Sequence, residues 1–110
     1  MSDLFNGATS FNGDISKWDV SRVKDMSGMF QTAAVFNGDI SNWDVSSVTD
    51  MRDMFSEAKL FNSDISKWDV SSVTTMDRMF YRAASFDKNL CGAAWVNSKA
   101  TKTHTFAGAS

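Results

Sequence analysis

Phe36-Asn37-Gly38-Asp39-Ile40-Ser41-Asn42-Trp43-Asp44-Val45-Ser46-Ser47-Val48-Thr49-Asp50-Met51-Arg52-Asp53-Met54-Phe55 decides the fold, because nearly the same string stands 25 residues before it and 25 residues after it. Phe11, Phe36, Phe61 and Phe86 keep that interval, as do Ile15, Ile40 and Ile65, and Trp18, Trp43 and Trp68. Three units, 11–35, 36–60 and 61–85, are near copies. A partial unit over 1–10 precedes them, with Leu4, Phe5 and Ala8 standing where Met29, Phe30 and Ala33 recur. From Phe86 the pattern decays: Leu90 takes the isoleucine place, Trp95 comes two residues late, and His104 replaces a methionine. Residues 86–110 therefore read as a degenerate C-terminal capping unit, and 1–110 as a single repeat domain.

An interval that never drifts implies that each unit repeats one excursion beside its neighbour. A lone unit buries too little apolar surface to offset the entropy of ordering its own backbone, so neighbours must cover one another. The expected result is an α/β repeat solenoid, with one short strand and one short helical segment per 25-residue unit. Gly38-Asp39-Ile40-Ser41 sets one large apolar residue among polar ones, the pattern of a one-sided strand. Val48, Met51, Met54 and Phe55 follow at spacings that place them on one side of a helix. Thr49 is a candidate N-cap, although Lys24 at the equivalent place cannot cap. Trp43-Asp44-Val45-Ser46 reads as an extended corner between the two.

Composition narrows the function. A hydrophobic share of 43% with 22% charged residues is that of a folding chain. The net charge of -2, with Lys and Arg scattered singly, supplies no basic stripe for nucleic acid. No apolar run is long enough to cross a bilayer, and the first residues do not form a signal peptide. Cys91 is the one cysteine, so no internal disulfide forms.

The string Phe-Asn-Gly-Asp-Ile-Ser-x-Trp-Asp-Val-Ser-x-Val-x-x-Met-x-x-Met-Phe resembles the BspA-like surface-protein repeats of about 25 residues, distant relatives of leucine-rich repeats classed as a domain of unknown function. The resemblance spans nearly the whole chain. It implies a leucine-rich-repeat-like architecture, an extracellular or cell-surface location, and a role in protein interaction or adhesion. It carries no catalytic residue and no universal ligand. In microalgal members the closing unit often pairs a cysteine near the place of Cys91 with a second one, so the resemblance leaves Cys91 either free or paired between chains.

The residues themselves point away from catalysis. His104 is the lone histidine and Cys91 lies in no motif, so no nucleophile, base and orienting group assemble. No cofactor is expected. The methionines at 26, 29, 51, 54, 76 and 79 recur beside phenylalanines and read as packing, not as a copper site. Trp-Asp pairs at an interval of 25 do not fit propeller blades. Polar rows at Asn12, Asn37 and Asn62, at Asp14, Asp39 and Asp64, and at Asp19, Asp44 and Asp69 have two readings: side chains that bond turn amides, or calcium ligands. Turn bonding is preferred, because no unit has the ligand spacing of a calcium loop.

Positions that vary between units should face solvent. Arg52 with Asp77, Asp53 with Arg78, and Glu57 with Arg82 are expected to form opposite-charge pairs across adjacent units. Lys17, Arg22, Asn42, Ser47, Lys67 and Ser72 surround the Trp-Asp corner as a candidate interaction strip. The functional expectation is a non-enzymatic module that binds a protein partner. The alternatives are a structural scaffold that self-associates through the open N-terminal unit, and a calcium-binding repeat.

Overall fold

The computed structural model describes residues 2–86, and within them each unit is a succession of tight turns. In 11–35 the N–H of Trp18 bonds the Ile15 carbonyl at 3.1 Å and that of Val23 bonds Val20 at 3.0 Å. Four more such three-residue closures follow, from Met29 to Met26, Gln31 to Gly28, Ala33 to Phe30 and Phe36 to Ala33. The alternate N–H groups of the same stretch leave the unit. Met26 donates to Asp50 at 2.9 Å, and Gly28, Phe30 and Thr32 donate to Arg52, Met54 and Ser56, each at 2.8 Å. The pattern recurs one unit on, from Met51, Asp53, Phe55 and Glu57 to Thr75, Asp77, Met79 and Tyr81.

This bonding overturns the expected α/β repeat solenoid with a strand and a helical segment in each unit. Among the described residues there is no helix and no extended strand; the regular pairing is limited to isolated parallel bridges, Asp25 with Asp50 and Asp50 with Thr75. The body is compact, with extents of 34 × 30 × 20 Å. Two physical reasons exclude the helix. An α-helix needs every N–H to bond within its own segment, whereas here every second one serves the neighbouring unit. It also needs negative φ throughout, yet Gly28, Asp53 and Arg78 have φ of 64, 56 and 55°, and Thr32, Glu57 and Arg82 have 57, 59 and 55°. Met51, Met54 and Phe55 share an inward side because turns alternate, not because a helix winds. The strand at 38–41 fails because its groups are spent locally: the Ser41 N–H goes to the Asp39 carboxylate at 3.0 Å and the Ile40 carbonyl accepts from the Trp43 N–H at 3.1 Å.

The core is built from equivalent residues set side by side. Phe5, Phe30, Phe55 and Phe80 form one column of nearly parallel rings, with centroids 5.4, 5.5 and 5.7 Å apart. Phe11, Phe36, Phe61 and Phe86 form a second, spaced at 5.8, 6.2 and 5.8 Å. The columns touch, as in the Phe55 to Phe61 separation of 3.9 Å. Offset stacking adds about 0.5–1.5 kcal/mol per pair beyond the burial of the rings. Around them Ile40, Val48, Met51 and Met54 are buried, as are Ile15, Ile65, Val73, Met26, Met29, Met76 and Met79. Polar threads tie the units together at the edges. The indole Nε1 of Trp43 donates to the Ile15 carbonyl, and that of Trp68 to the Ile40 carbonyl, both at 3.0 Å. The Asn37 N–H bonds the Asn12 side-chain oxygen at 3.0 Å, and the Asn62 N–H bonds that of Asn37 at 2.7 Å. The capping unit expected over 86–110, with Cys91 and His104, lies outside the described residues beyond Phe86.

Candidate functional site

The interaction strip proposed from sequence lands on turn tips. Lys17, Asn42 and Lys67 are the third residues of the turns closed by Trp18, Trp43 and Trp68, and Arg22, Ser47 and Ser72 hold that place in the turns closed by Val23, Val48 and Val73. All are exposed except the half-buried Ser47. Beside them the aspartates act as turn locks. Asp14, Asp19, Asp39 and Asp44 each accept from the N–H and the hydroxyl of the serine two residues on, at 2.6–3.0 Å. Asp64 and Asp69 accept the N–H of Ser66 and Ser71 at 3.0 Å. These hydrogen bonds hold the carboxyls of Asp14, Asp19, Asp39, Asp44 and Asp69 below the ordinary value of 3.8. Among the described residues no group of three or more acidic, histidine or cysteine side chains converges as a metal site would require.

Of the charge pairs expected across units, that of Asp53 with Arg78 forms. Arg78 Nε lies 3.3 Å from Asp53 Oδ1. Arg52 turns back on its own unit and bonds Asp50 at 2.9 Å, through a short loop that needs no reach across the gap. Arg82 lies over the Tyr81 ring, 5.1 Å from its centroid, and does not pair with Glu57.

Two places break the regularity of the molecule. The first is the edge at the N-terminal side. Trp18 is 41% exposed and Leu4 51%, whereas the equivalent Trp43 and Met29 are 4% and 0% exposed. Phe5 and Phe11 are half-buried where Phe30 and Phe36 are sealed. Hydrogen-bonding groups end there too. The Trp18 Nε1–H, the Asn12 N–H and the Lys24 N–H find no protein acceptor among the described residues, although Trp43, Asn37 and Thr49 at the same places each bond the preceding unit. Among the described residues the carbonyls of Ser2, Leu4 and Asn6 likewise meet no donor, while those of Ser27, Met29 and Gln31 accept from Asp3, Phe5 and Gly7.

The second is a surface notch of about 400 Å3 lined by Gln31, Asp53, Ser56, Glu57, Arg78 and Tyr81. A smaller one of about 220 Å3 adjoins it, sharing Gln31, Asp53 and Arg78 and reaching Asp3 and Arg52. Gln31, Ser56 and Tyr81 are equivalent residues of successive units, so a small side chain stands between two large ones and leaves the hollow. Burial pushes the Asp53 carboxyl up from its ordinary value, against the pull of Arg78 and Arg52. Neither notch includes any residue of the turn-tip strip. Ser56 was not singled out from sequence; its signal was the smallest side chain in a row that otherwise carries Asn6, Gln31 and Tyr81.

The family described as "Mycoplasma protein of unknown function, DUF285" matches residues 1–110, and the chain belongs to that family. No curated protein and no solved structure matches it.

Proposed function

We propose that this chain is a non-enzymatic protein-interaction module that binds by adding a layer: its Trp18 face is completed by a further unit of the same 25-residue repeat. The Trp18 edge carries this reading. Its three unmet donors and three unmet acceptors stand in the register that the next two units use to bond each other, so a polypeptide of this repeat is the surface that satisfies all of them at once. The exposed Leu4 and Trp18 supply the apolar burial, and aromatic anchors of this kind dominate interface energetics. The likeness to BspA-like surface repeats supports display at a cell surface and a part in adhesion. A scaffold of stacked chains would be the same contact repeated.

Sedimentation velocity over a concentration series tests the reading, with a second copy of the chain as the partner. Mass-action association that weakens at least tenfold in Trp18→Ala, with the circular dichroism of the monomer unchanged, is the expected result. A sedimentation coefficient that stays monomeric at every concentration would remove the proposal.

A further inference from the structure

The notch at Ser56 is independent of the open edge and has a chemistry of its own. Ser56 is the one buried polar residue among the described residues, 3% exposed, and its hydroxyl has no hydrogen-bond partner among them. No fully enclosed side-chain oxygen or nitrogen lacks a partner, so this hydroxyl is not sealed in; it opens into the notch that Ser56 lines. Around it stand three further groups with unused capacity. The Gln31 oxygen accepts from Asn6 at 3.4 Å, which leaves its amide N–H2 free. The Tyr81 hydroxyl and the Glu57 carboxylate have no partner among the described residues. Arg78 and Asp53 occupy each other at the rim.

That set selects among ligand classes. A cation would be met by the Glu57 carboxylate and by the hydroxyl oxygens of Ser56 and Tyr81, but it would leave the hydroxyl protons and the free Gln31 amide N–H2 without an acceptor. An anion would face the carboxylates of Glu57 and Asp53, with the nearby Arg78 already engaged. An apolar group would strip water from all of these without replacing it. A sugar ring does none of this, because each of its hydroxyls both donates and accepts, and the volume admits a ring. The raised Asp53 carboxyl agrees with a site already partly withdrawn from water.

We infer that the notch lined by Gln31, Ser56, Glu57 and Tyr81 is a binding site for a neutral saccharide residue, with the Ser56 hydroxyl as its floor. Ser56 is the smallest of Asn6, Gln31, Ser56 and Tyr81 along its row, so the hollow opens beside it, between the longer side chains of its two neighbours.

Ligand-observed saturation-transfer NMR on the full chain provides the test. The probes are the methyl glycosides of glucose, mannose, galactose and N-acetylglucosamine, with n-butylammonium as the cation. At least one glycoside should bind with a Kd of about millimolar order, as suits a small polar ligand in an open site. Ser56→Gln refills the hollow with the side chain that the preceding unit already carries on the same backbone, and should weaken that binding at least tenfold at an unchanged melting temperature. Glu57→Gln, at the rim, should weaken it about tenfold and decides the matter even if the Ser56 variant does not fold. Silence from all four glycosides, full affinity in both variants, or n-butylammonium bound in preference to every glycoside would each overturn the inference.

Discussion

Trp18 and Trp68 hold the same place in units two repeats apart and lead different lives. Trp68 is 2% exposed, packs against Phe55 at 6.4 Å and hands its indole proton to the Ile40 carbonyl. Trp18 packs against Phe5 at 5.8 Å in the same tilted manner, yet 41% of it meets solvent and its indole proton has no protein acceptor among the described residues. Nothing in their own units distinguishes them, since both follow Asp-Ile-Ser-Lys and precede Asp-Val-Ser. The difference lies in the layer on the far side. A residue in this molecule owes its burial to the neighbouring unit, and the layer of Trp18 keeps the apolar equipment of the interior with one face exposed.

The sharpest way to break that comparison is to truncate both tryptophans. Trp68→Ala should lower unfolding stability by about 3–5 kcal/mol, the range for a large aromatic removed from a core, while Trp18→Ala should lose only about 1 kcal/mol. Urea denaturation of both variants measures this, and equal losses would show that the edge is as well packed as the centre.

A smaller effect follows from the backbone. Of the two left-handed positions in each unit, the first described stretch uses Gly7 and the next Gly28, but later ones carry Asp53, Glu57, Arg78 and Arg82, and Thr32 stands at one of them with φ 57°. A β-branched residue there is strained, so Thr32→Gly should raise stability by about 0.5–1 kcal/mol despite the greater freedom of the unfolded chain. Gly7→Ala, at φ 76° with no atom near the added methyl, should lower it by about 1 kcal/mol from backbone strain alone. Differential scanning calorimetry would resolve both shifts, and opposite signs are the point at issue.

Acid should affect edge and centre alike, because the aspartate locks are the same in both. The carboxyls of Asp14, Asp19, Asp25, Asp39, Asp44 and Asp69 lie below their unfolded value of 3.8, so their contribution is complete above that pH and is lost as pH falls through the lower folded values. Asp53 has the opposite sign: its raised carboxyl favours folding below 3.8, and that contribution disappears as pH rises through its folded value. The sum is a melting temperature that drops below about pH 4. Amide exchange at Ser21 and Ser71 should accelerate together in that window; a response confined to one of them would show that the locks are not equivalent.

Much of the packing was legible in the residues. A phenylalanine every 25 positions announces a column of rings, because identical excursions return identical side chains to adjacent places. The Asp-x-Ser pairs announce turns, because a carboxylate two residues before a serine reaches its N–H without help from elsewhere. Helix and strand were misread for a reason that follows from the same regularity. Val48, Met51, Met54 and Phe55 have the spacing of a helix face, but spacing reports only which side chains point inward, and a run of alternating turns points the same ones inward. The Asp53–Arg78 pair forms as expected, whereas Arg52, expected to reach across the units, bonds Asp50 two residues away, because a local partner needs less ordering than a distant one.

What the sequence determined by itself was the set of neighbours: which phenylalanines stack, which methionines are sealed, and that the units lie in register. Those follow from period and polarity, which are properties of the chain. Where each N–H goes was decided by the tertiary structure, since a donor that alternates between its own turn and the next unit has no signature in the residue that bears it. The hollow at Ser56 was decided there as well. A missing volume exists only between side chains that folding has placed on either side of it.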